Sequence, residues 1–311
     1  MKNKNILVTG GLGFIGSHIV DELIEENKVT IIDDKSTGKI ENLKNPNHEN
    51  LKIIIGNLND LNLNEIVNGT DYIFHLAALA SVPKSVENPS FNHENNVNTT
   101  LKLLIAAKDC DVKKVVFSSS SAIYGDNPNM PLKETETPSP TSPYAASKAS
   151  CELYCQSFTE SYDLATVSLR YFNVFGPKQD VNSQYAAVIP NFIYSLVNSK
   201  QAIIYGDGEQ SRDFVYVKDI VKANIAAAES DYNGVVNIAS GESMTINQLY
   251  KIVKNTLNSD LDPIYKKKRQ GDIKHSLANV ENMTNIGFKV DSSNFTKQLE
   301  KTVHWFKNSK Y

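Results

Sequence analysis

Ile6 to Thr9 read as a short strand, and the chain then runs straight into Gly10-Gly11-Leu12-Gly13-Phe14-Ile15-Gly16 before an amphipathic stretch. Strand, glycine-rich turn and helix in immediate succession commit the N-terminus to a βαβ unit. The glycines permit a tight turn, a close approach of backbone to a phosphate-bearing ligand, and close packing of helix on strand. Phe14 and Ile15 open a helix whose free N–H groups can face phosphate oxygens. A glycine-rich turn by itself is compatible with an ordinary loop, so the remaining chain has to decide.

Short apolar runs alternate with amphipathic segments through the first half of the chain. Strands are expected at Ile6–Thr9, Val29–Asp33, Lys52–Ile55, Tyr72–Leu76, Lys114–Ser118 and Ala165–Arg170, with helices at Phe14–Glu26, Asn95–Lys108 and Tyr144–Tyr162 between them. This is the pattern of an α/β fold, a doubly wound parallel (Rossmann) sheet with helices on both faces. From Gly176 the chain becomes rich in Gln, Asp, Asn and Ser, then shows a helix near Val188–Asn198 and turns at Gly206, Gly208 and Gly241. A smaller C-terminal α/β lobe is therefore expected over 175–311, after a first domain over 1–174, with a soft boundary across which later segments can return. A length of 311 residues, 41% hydrophobic and 22% charged, is ample for two cores.

A net charge of −3 argues against a nucleic-acid surface and means that any anionic ligand must be met by locally placed cations. The three cysteines, Cys110, Cys151 and Cys155, make no disulfide framework; the last two, one helical turn apart, read as small buried hydrophobes rather than metal ligands. No apolar run reaches membrane-spanning length and no signal-peptide core precedes Ile6, so a cytoplasmic protein is expected.

The second strand ends in Asp33-Asp34, where an acid accepts hydrogen bonds from adenosine ribose hydroxyls and repels a 2′-phosphate. Only Lys35 follows closely, which favours NAD over NADP. Strand order puts Asn57 and Leu58 beside the adenine, and Leu76-Ala77-Ala78 along the path to the nicotinamide. Tyr144 and Lys148, four residues apart, share one helix face, so the ammonium is expected to favour the phenolate and lower the tyrosine pKa from its usual value near 10. Ser118 to Ser121, at the end of the fifth strand, put hydroxyls at the carboxyl edge of the sheet, where open α/β folds bind ligands.

With Thr9-Gly10 to Gly16, Asn95-Asn96-Val97-Asn98, the serine run ending in Tyr124-Gly125, Tyr144 to Lys148, Arg170-Tyr171-Phe172-Asn173-Val174-Phe175-Gly176-Pro177, Gly206-Asp207-Gly208, Ser211-Arg212-Asp213-Phe214-Val215 and Arg269-Gln270-Gly271-Asp272, the chain resembles extended short-chain dehydrogenases/reductases over nearly its whole length. Within them it is similar to the nucleotide-sugar 4-epimerases. The resemblance implies that Ser120 is the catalytic hydroxyl, Tyr144 the acid/base, and Lys148 the residue that holds the nicotinamide ribose and tunes Tyr144. It adds Lys35, Ser36, Asn96 and Tyr171 to the cofactor contacts. It also implies that Ser121, Asn173, Ala187, Val188 and Tyr205 contact substrate, that Arg212 and Arg269 grip its diphosphate, and that Asp272 meets the nucleoside ribose. Guanidinium forks suit phosphate oxygens. A plain ion pair of Arg212 with Asp213 remains open, as does a solvated Arg269 at the end of Lys266-Lys267-Lys268.

Similar dehydratases carry an Asp-Glu pair after the catalytic hydroxyl, and related decarboxylases a Glu at the second position; here Ser121 and Ala122 stand there. Without a carboxylate to drive elimination, oxidation and re-reduction at C4 of a UDP-hexose is the expected chemistry. The segments around Asn173–Asp180 and Tyr185–Pro190 look most like those of enzymes acting on UDP-N-acetylglucosamine and UDP-N-acetylgalactosamine. Ser276 aligns with the position beside the sugar's C2 substituent, and with Ala186 and Ala187 it would leave room for an acetamido group. Ala80, where many UDP-glucose enzymes have lysine, and Asn57, where aspartate is usual, depart from the most familiar pattern. UDP-glucose/UDP-galactose or UDP-glucuronate epimerisation is the alternative, and a non-catalytic NAD-sensing regulator the alternative of another class. By resemblance, the helices over Asn95–Lys108 and Tyr144–Tyr162 would form a homodimer interface.

Overall fold

A computed structural model describes residues 1–180, 188–268 and 273–308. In chain order, β1 (Asn5–Thr9), α1 (Phe14–Leu23), β2 (Lys28–Asp33), β3 (Leu51–Ile55), α2 (Leu63–Val67), β4 (Tyr72–His75), α3 (Val82–Glu87), α4 (Pro89–His93), α5 (Thr99–Asp109), β5 (Lys114–Ser120), α6 (Pro143–Tyr162) and β6 (Thr166–Tyr171) form the first half. They are followed by β7 (Asn173–Phe175), α7 (Val188–Val197), β8 (Ile203–Tyr205), β9 (Ser211–Tyr216), α8 (Val217–Glu229), β10 (Gly234–Ile238), β11 (Ser243–Thr245), α9 (Ile246–Leu257), β12 (Ile264–Lys266) and α10 (Phe295–Asn308).

The main sheet runs β10-β6-β5-β4-β1-β2-β3, and every pair in it is parallel. Its central strands read as unbroken apolar runs because both faces are covered: Leu7, Val8, Ile31, Ile32, Ile73, Phe74, Val115, Val116 and Phe117 are all buried. On one face α1 and α8 pack through Ile19, Val20, Leu23, Ile220 and Ala223. On the other, α2, α5 and α6 pack through Leu63, Leu103, Leu104 and Phe158, and the free thiols Cys151 and Cys155 fill the same layer.

All six expected strands are present, with β10 in addition. The later chain passes back through α8 to lay β10 beside β6, so part of the sequence after residue 174 completes the first sheet. Lys114, buried at the start of β5, fastens this return by donating to the carbonyls of Ser230 and Tyr232 at the end of α8. The rest gathers around Phe175, Phe192, Ile193, Leu249, Val253, Leu299 and Phe306. Two small sheets, β11-β9-β7 and β12-β8, edge this core.

Two helix boundaries differ from expectation for local reasons. Helix α1 ends at Leu23, where the Asn27 amide donates to the Leu23 carbonyl at 2.8 Å and satisfies it outside the helix. The helix expected over 95–108 begins with a wider π turn at Glu94–Asn98, and α5 proper starts at Thr99. Among the described residues, no helix is long and apolar enough to cross a membrane.

The strand order reverses between β1 and β4, so the loops that leave these two strands diverge and open a crevice at their carboxyl ends. A Cβ on Gly10 would stand 2.8 Å from the Ala77 nitrogen, which shows how closely the loops meet at its base.

Candidate active site

Gly10 adopts φ +69°, and a Cβ on Gly16 would overlap the Gly10 carbonyl oxygen, so both positions require glycine. Gly13 occupies the N-cap of α1 without a side-chain cap, and no acid lies in the first turn. The turn Phe14-Ile15-Gly16 therefore presents the positive end of α1 to the crevice, a donor set suited to a pyrophosphate. At the end of β2, the buried Asp33 carboxylate accepts from the Leu12 nitrogen at 3.0 Å and the Lys35 nitrogen at 2.8 Å. Burial raises its pKa against these two donors. Exposed Asp34 accepts from the Ser36 nitrogen at 2.8 Å. Acceptors rather than cations thus flank this end of the cradle, which fits a ribose diol better than a 2′-phosphate.

Asn57, after β3, caps a short turn by accepting from Asn59 N at 2.9 Å and donates to Asn95 Oδ1 at 3.2 Å, while Leu58 is buried beneath it. The loop Leu76-Ala77-Ala78 is held by a buried chain of bonds that sequence reasoning missed. The Thr100 hydroxyl donates to the Asn96 carbonyl at 2.6 Å, so His75 Nε2 must donate to Thr100 at 2.9 Å. His75 Nδ1 then accepts from the Thr9 hydroxyl at 2.7 Å, and Thr9 accepts from Ala77 N at 3.2 Å. Every hydrogen is allotted with a neutral ring. Burial, aided by the Lys148 charge, holds the His75 pKa at about 3.

Asn96 and Tyr171, expected among the cofactor contacts, have protein partners. The Asn96 amide accepts from Leu79 N at 2.7 Å and donates to Asn92 and Ser147 at 3.0 and 2.9 Å, so it fixes the crevice wall to α6. Tyr171 turns its side chain to the α8 face, where its hydroxyl donates to Asn224 at 2.9 Å and lies 3.0 Å from the Ser118 hydroxyl. Burial there pushes its pKa up to about 12.

Helix α6 starts where Ser142 accepts from Ala145 N and Pro143 takes the first turn. Its origin is pinned from α3 and α4: Tyr144 N donates to Ser85 Oγ at 3.1 Å, and Asn92 donates to the Pro143 carbonyl at 3.1 Å. Tyr144 lies beside Ser120, whose hydroxyl favours the phenolate, and Ser120 Oγ accepts from Ala122 N at 3.2 Å. Lys148 Nζ donates to the Ser118 carbonyl at 2.7 Å, 4.8 Å from the Phe117 ring centroid and 6.0 Å from that of Tyr144. Burial lowers the Lys148 pKa to about 8, with Cys151, Cys155 and Glu152 opposing. The expected depression of the Tyr144 pKa by Lys148 is not found. Burial raises the phenol, and the opposing influence is the Ser120 hydrogen bond, because the lysine is turned toward the strand carbonyl.

Beyond the switch point, Asn173 donates to the Asp213 carbonyl at 2.9 Å, which ties β7 to β9. Arg212 Nη1 donates to the Ser211 carbonyl at 2.9 Å and the Lys274 carbonyl at 3.4 Å. Asp213, its neighbour in sequence, points away into the core, as strand alternation requires. Its carboxylate accepts from Ser240 N and Oγ, Gly241 N and Ala278 N. Ser276 is buried, and its nitrogen donates to the Ser211 carbonyl at 3.1 Å, so the 274–278 segment runs beside Arg212. Half-buried Val188 begins α7, half-buried Tyr205 ends β8, and Ser121 opens the turn after Ser120. Ala186, Ala187, Arg269 and Asp272 lie outside the described residues.

A family model described as the NAD dependent epimerase/dehydratase family matches residues 6–239. The chain belongs to this family. A UDP-N-acetylglucosamine 4-epimerase from Methanobrevibacter ruminantium, solved in complex with UDP-N-acetylmuramic acid, is 63% identical, with a TM-score of 0.98 over 98% of this chain and 99% of that one. A UDP-glucose 4-epimerase from Thermotoga maritima, solved with UDP-glucose, is 40% identical, with a TM-score of 0.93 over 97% and 98%. A UDP-glucose 4-epimerase from Thermus thermophilus in complex with NAD is 34% identical, with a TM-score of 0.88 over 98% and 100%. NAD is the cofactor of the family, and the cradle of this member fits it.

Proposed function

We propose that this protein is an NAD-dependent 4-epimerase of a UDP-hexose, with UDP-N-acetylglucosamine and UDP-N-acetylgalactosamine as its preferred pair. The observation that carries the reading is the gathering of Ser120, Tyr144 and Lys148 at the carboxyl end of β5, with Ser121 and Ala122, not carboxylates, in the two positions after Ser120. Residues 1–174 would bind the cofactor, with the α1 turn on the pyrophosphate, Asp33 and Asp34 at the adenosine ribose, and Lys148 at the nicotinamide ribose. Residues 175–311 would hold the nucleotide sugar, apart from the segments that return to the first sheet.

Held by the α1 turn, Asp33 and Lys148, NAD would supply a reversible hydride acceptor for C4 of the sugar. Tyr144 takes the C4 hydroxyl proton, keeps it while the ketone turns, and gives it back. Ser120, beside Tyr144, completes a hydroxyl pair along which the proton can move. The positive N-terminal end of α6, where Tyr144 stands, favours the phenolate. Lys148 stays an ammonium below about pH 8. Ser121 and Ala122, after Ser120, offer no carboxylate to abstract a second proton, so the sugar leaves changed only at C4.

The acetamido preference is supported by Ser276, a small buried side chain at the proposed C2 subsite, and by the 63% identity to a UDP-N-acetylglucosamine 4-epimerase. Incubation with UDP-GlcNAc, UDP-glucose and UDP-glucuronate separately, followed by NMR of the C4 epimer, is expected to show fastest conversion of UDP-GlcNAc. Good turnover of glucose with failure on the acetamido sugar would overturn the preference. Bound NAD with no turnover of any of them would favour a sensing role.

A homodimer is part of the same reading. Val86 of α3, Phe91 of α4, Ile105 of α5 and Leu153 of α6 are 60%, 52%, 42% and 65% exposed, an apolar surface across adjoining helices. Sedimentation velocity at micromolar concentration should give twice the chain mass, and Ile105→Glu with Leu153→Glu should give a monomer. A monomeric parent protein would exclude the dimer.

A further inference from the structure

Tyr144, Lys148 and Glu152 recur at every fourth residue of α6 and so form one stripe along its inner face. Lysine and glutamate one turn apart on a helix pair readily, and burial strengthens their attraction. Here they do not pair. Lys148 Nζ goes to the Ser118 carbonyl at 2.7 Å, whereas both Glu152 oxygens are taken by Arg170 on β6. Arg170 Nε donates to Oε1 at 2.9 Å and Oε2 at 3.2 Å, and Nη2 donates to Oε2 at 2.7 Å. The Ser119 hydroxyl, on the residue of β5 in register with Arg170, also donates to Oε1. Arg170 is in turn held from its other side. Its guanidinium lies 4.7 Å from the Tyr124 ring centroid, and Nη1 donates to the Glu134 carbonyl at 3.3 Å. Arg170 and Glu152 are 3% and 6% exposed, so neither exchanges this partner for water.

The geometry points to Arg170 as a positioning residue that acts through Glu152: by holding that carboxylate in a two-pronged grip, it keeps Glu152 from capturing Lys148. The ammonium thereby remains on the Ser118 carbonyl, at the mouth of the crevice, and not one turn farther down the helix. Consecutive β5 residues then meet the stripe in a fixed pattern, with Ser118 on Lys148, Ser119 on Glu152 and Ser120 on Tyr144. This assignment rests on the reading of Lys148 as the group that meets the nicotinamide ribose.

The test compares Arg170→Met, Arg170→Lys, Glu152→Gln and the double variant Arg170→Met/Glu152→Gln, using the full chain with UDP-GlcNAc and with NAD titrated separately. Arg170→Met should lower kcat by about tenfold or more and weaken NAD by a similar factor, while KM for the UDP-sugar changes by less than about twofold. The double variant should recover most of both losses, because no carboxylate is left to take Lys148. Glu152→Gln should stay within about fivefold of the parent, whereas Arg170→Lys, which keeps the charge but loses the two-pronged grip, should lose an intermediate amount that adding Glu152→Gln restores. A double variant no better than Arg170→Met, or Glu152→Gln falling as far, would leave a packing role only and overturn the assignment. If Arg170→Met does not fold, the Arg170→Lys and Glu152→Gln results still decide. A parent enzyme that turns over no UDP-sugar would sink the proposed function, while the NAD titrations would still report on the grip.

Discussion

Replacing Tyr144 with phenylalanine should lower kcat by roughly 10²–10⁴-fold, the range associated with loss of a positioned acid/base, while NAD stays bound. The substitution removes only the hydroxyl that meets Ser120. The backbone anchors of this turn, Tyr144 N on Ser85 and the Pro143 carbonyl on Asn92, do not involve that atom, so the helix start should hold its place. Because the proton leaves and returns through the same phenol, both directions of epimerisation should fall by the same factor. Turnover near that of the parent protein, measured with equal NAD content, would remove Tyr144 from the chemistry.

Acidification should destabilise the fold through two buried imidazoles. Burial holds His75 at about 3 and His18 at about 4, both below the 6.5 of the unfolded chain. Between those limits the unfolded state binds more protons than the folded one, so stability falls as pH falls, by about 1.4 kcal/mol per pH unit for each ring. For His75 the window runs from about pH 6.5 down to about 3, and for His18 it closes at about 4. Asp213, raised by burial to about 6, acts in the opposite sense over part of this range. A difference measurement isolates one ring. The stability advantage of the parent protein over His75→Gln, from denaturant unfolding, should shrink by about 2–3 kcal/mol between pH 7 and pH 4.5. An advantage that is constant with pH would mean that the ring takes up its proton as readily in the folded protein as in the unfolded chain, contrary to its place between Thr9 and Thr100.

The elements most legible in the sequence are those whose pattern is dictated by burial. Strands β1 to β6 stand within two residues of expectation because a parallel strand covered on both faces admits little besides apolar side chains. The glycine turn is legible for a similar reason, since Gly10 and Gly16 meet backbone where any side chain would stand. Strand β10, Gly234 to Ile238, is short and follows a helix, and nothing local says which sheet it joins. The site divides along the same line. Tyr144, Lys148 and Ser120 are visible as spacing and strand-end chemistry, but the directions of polar side chains are tertiary facts. That Lys148 turns to a strand carbonyl, Tyr171 to Asn224 and Asn96 to the crevice wall depends on partners up to 53 positions away. His75 and Glu152 gave no signal in the sequence, because their roles arise only where β1, β4, β5 and β6 come side by side.

The return of α8 and β10 to the first sheet bears on how this enzyme can be divided. A chain ending at residue 174 would leave β6 as a bare edge, with unpaired N–H and carbonyl groups where Gly234 to Ile238 now pair. It would also strip the apolar face on which α1 and α8 meet. A segment cut at residue 174 is thus not a portable module that could be inherited, expressed or fused alone. The strand that completes the main sheet is made only after β7, α7, β8 and β9 have left the ribosome, so the sheet and the smaller core are completed together.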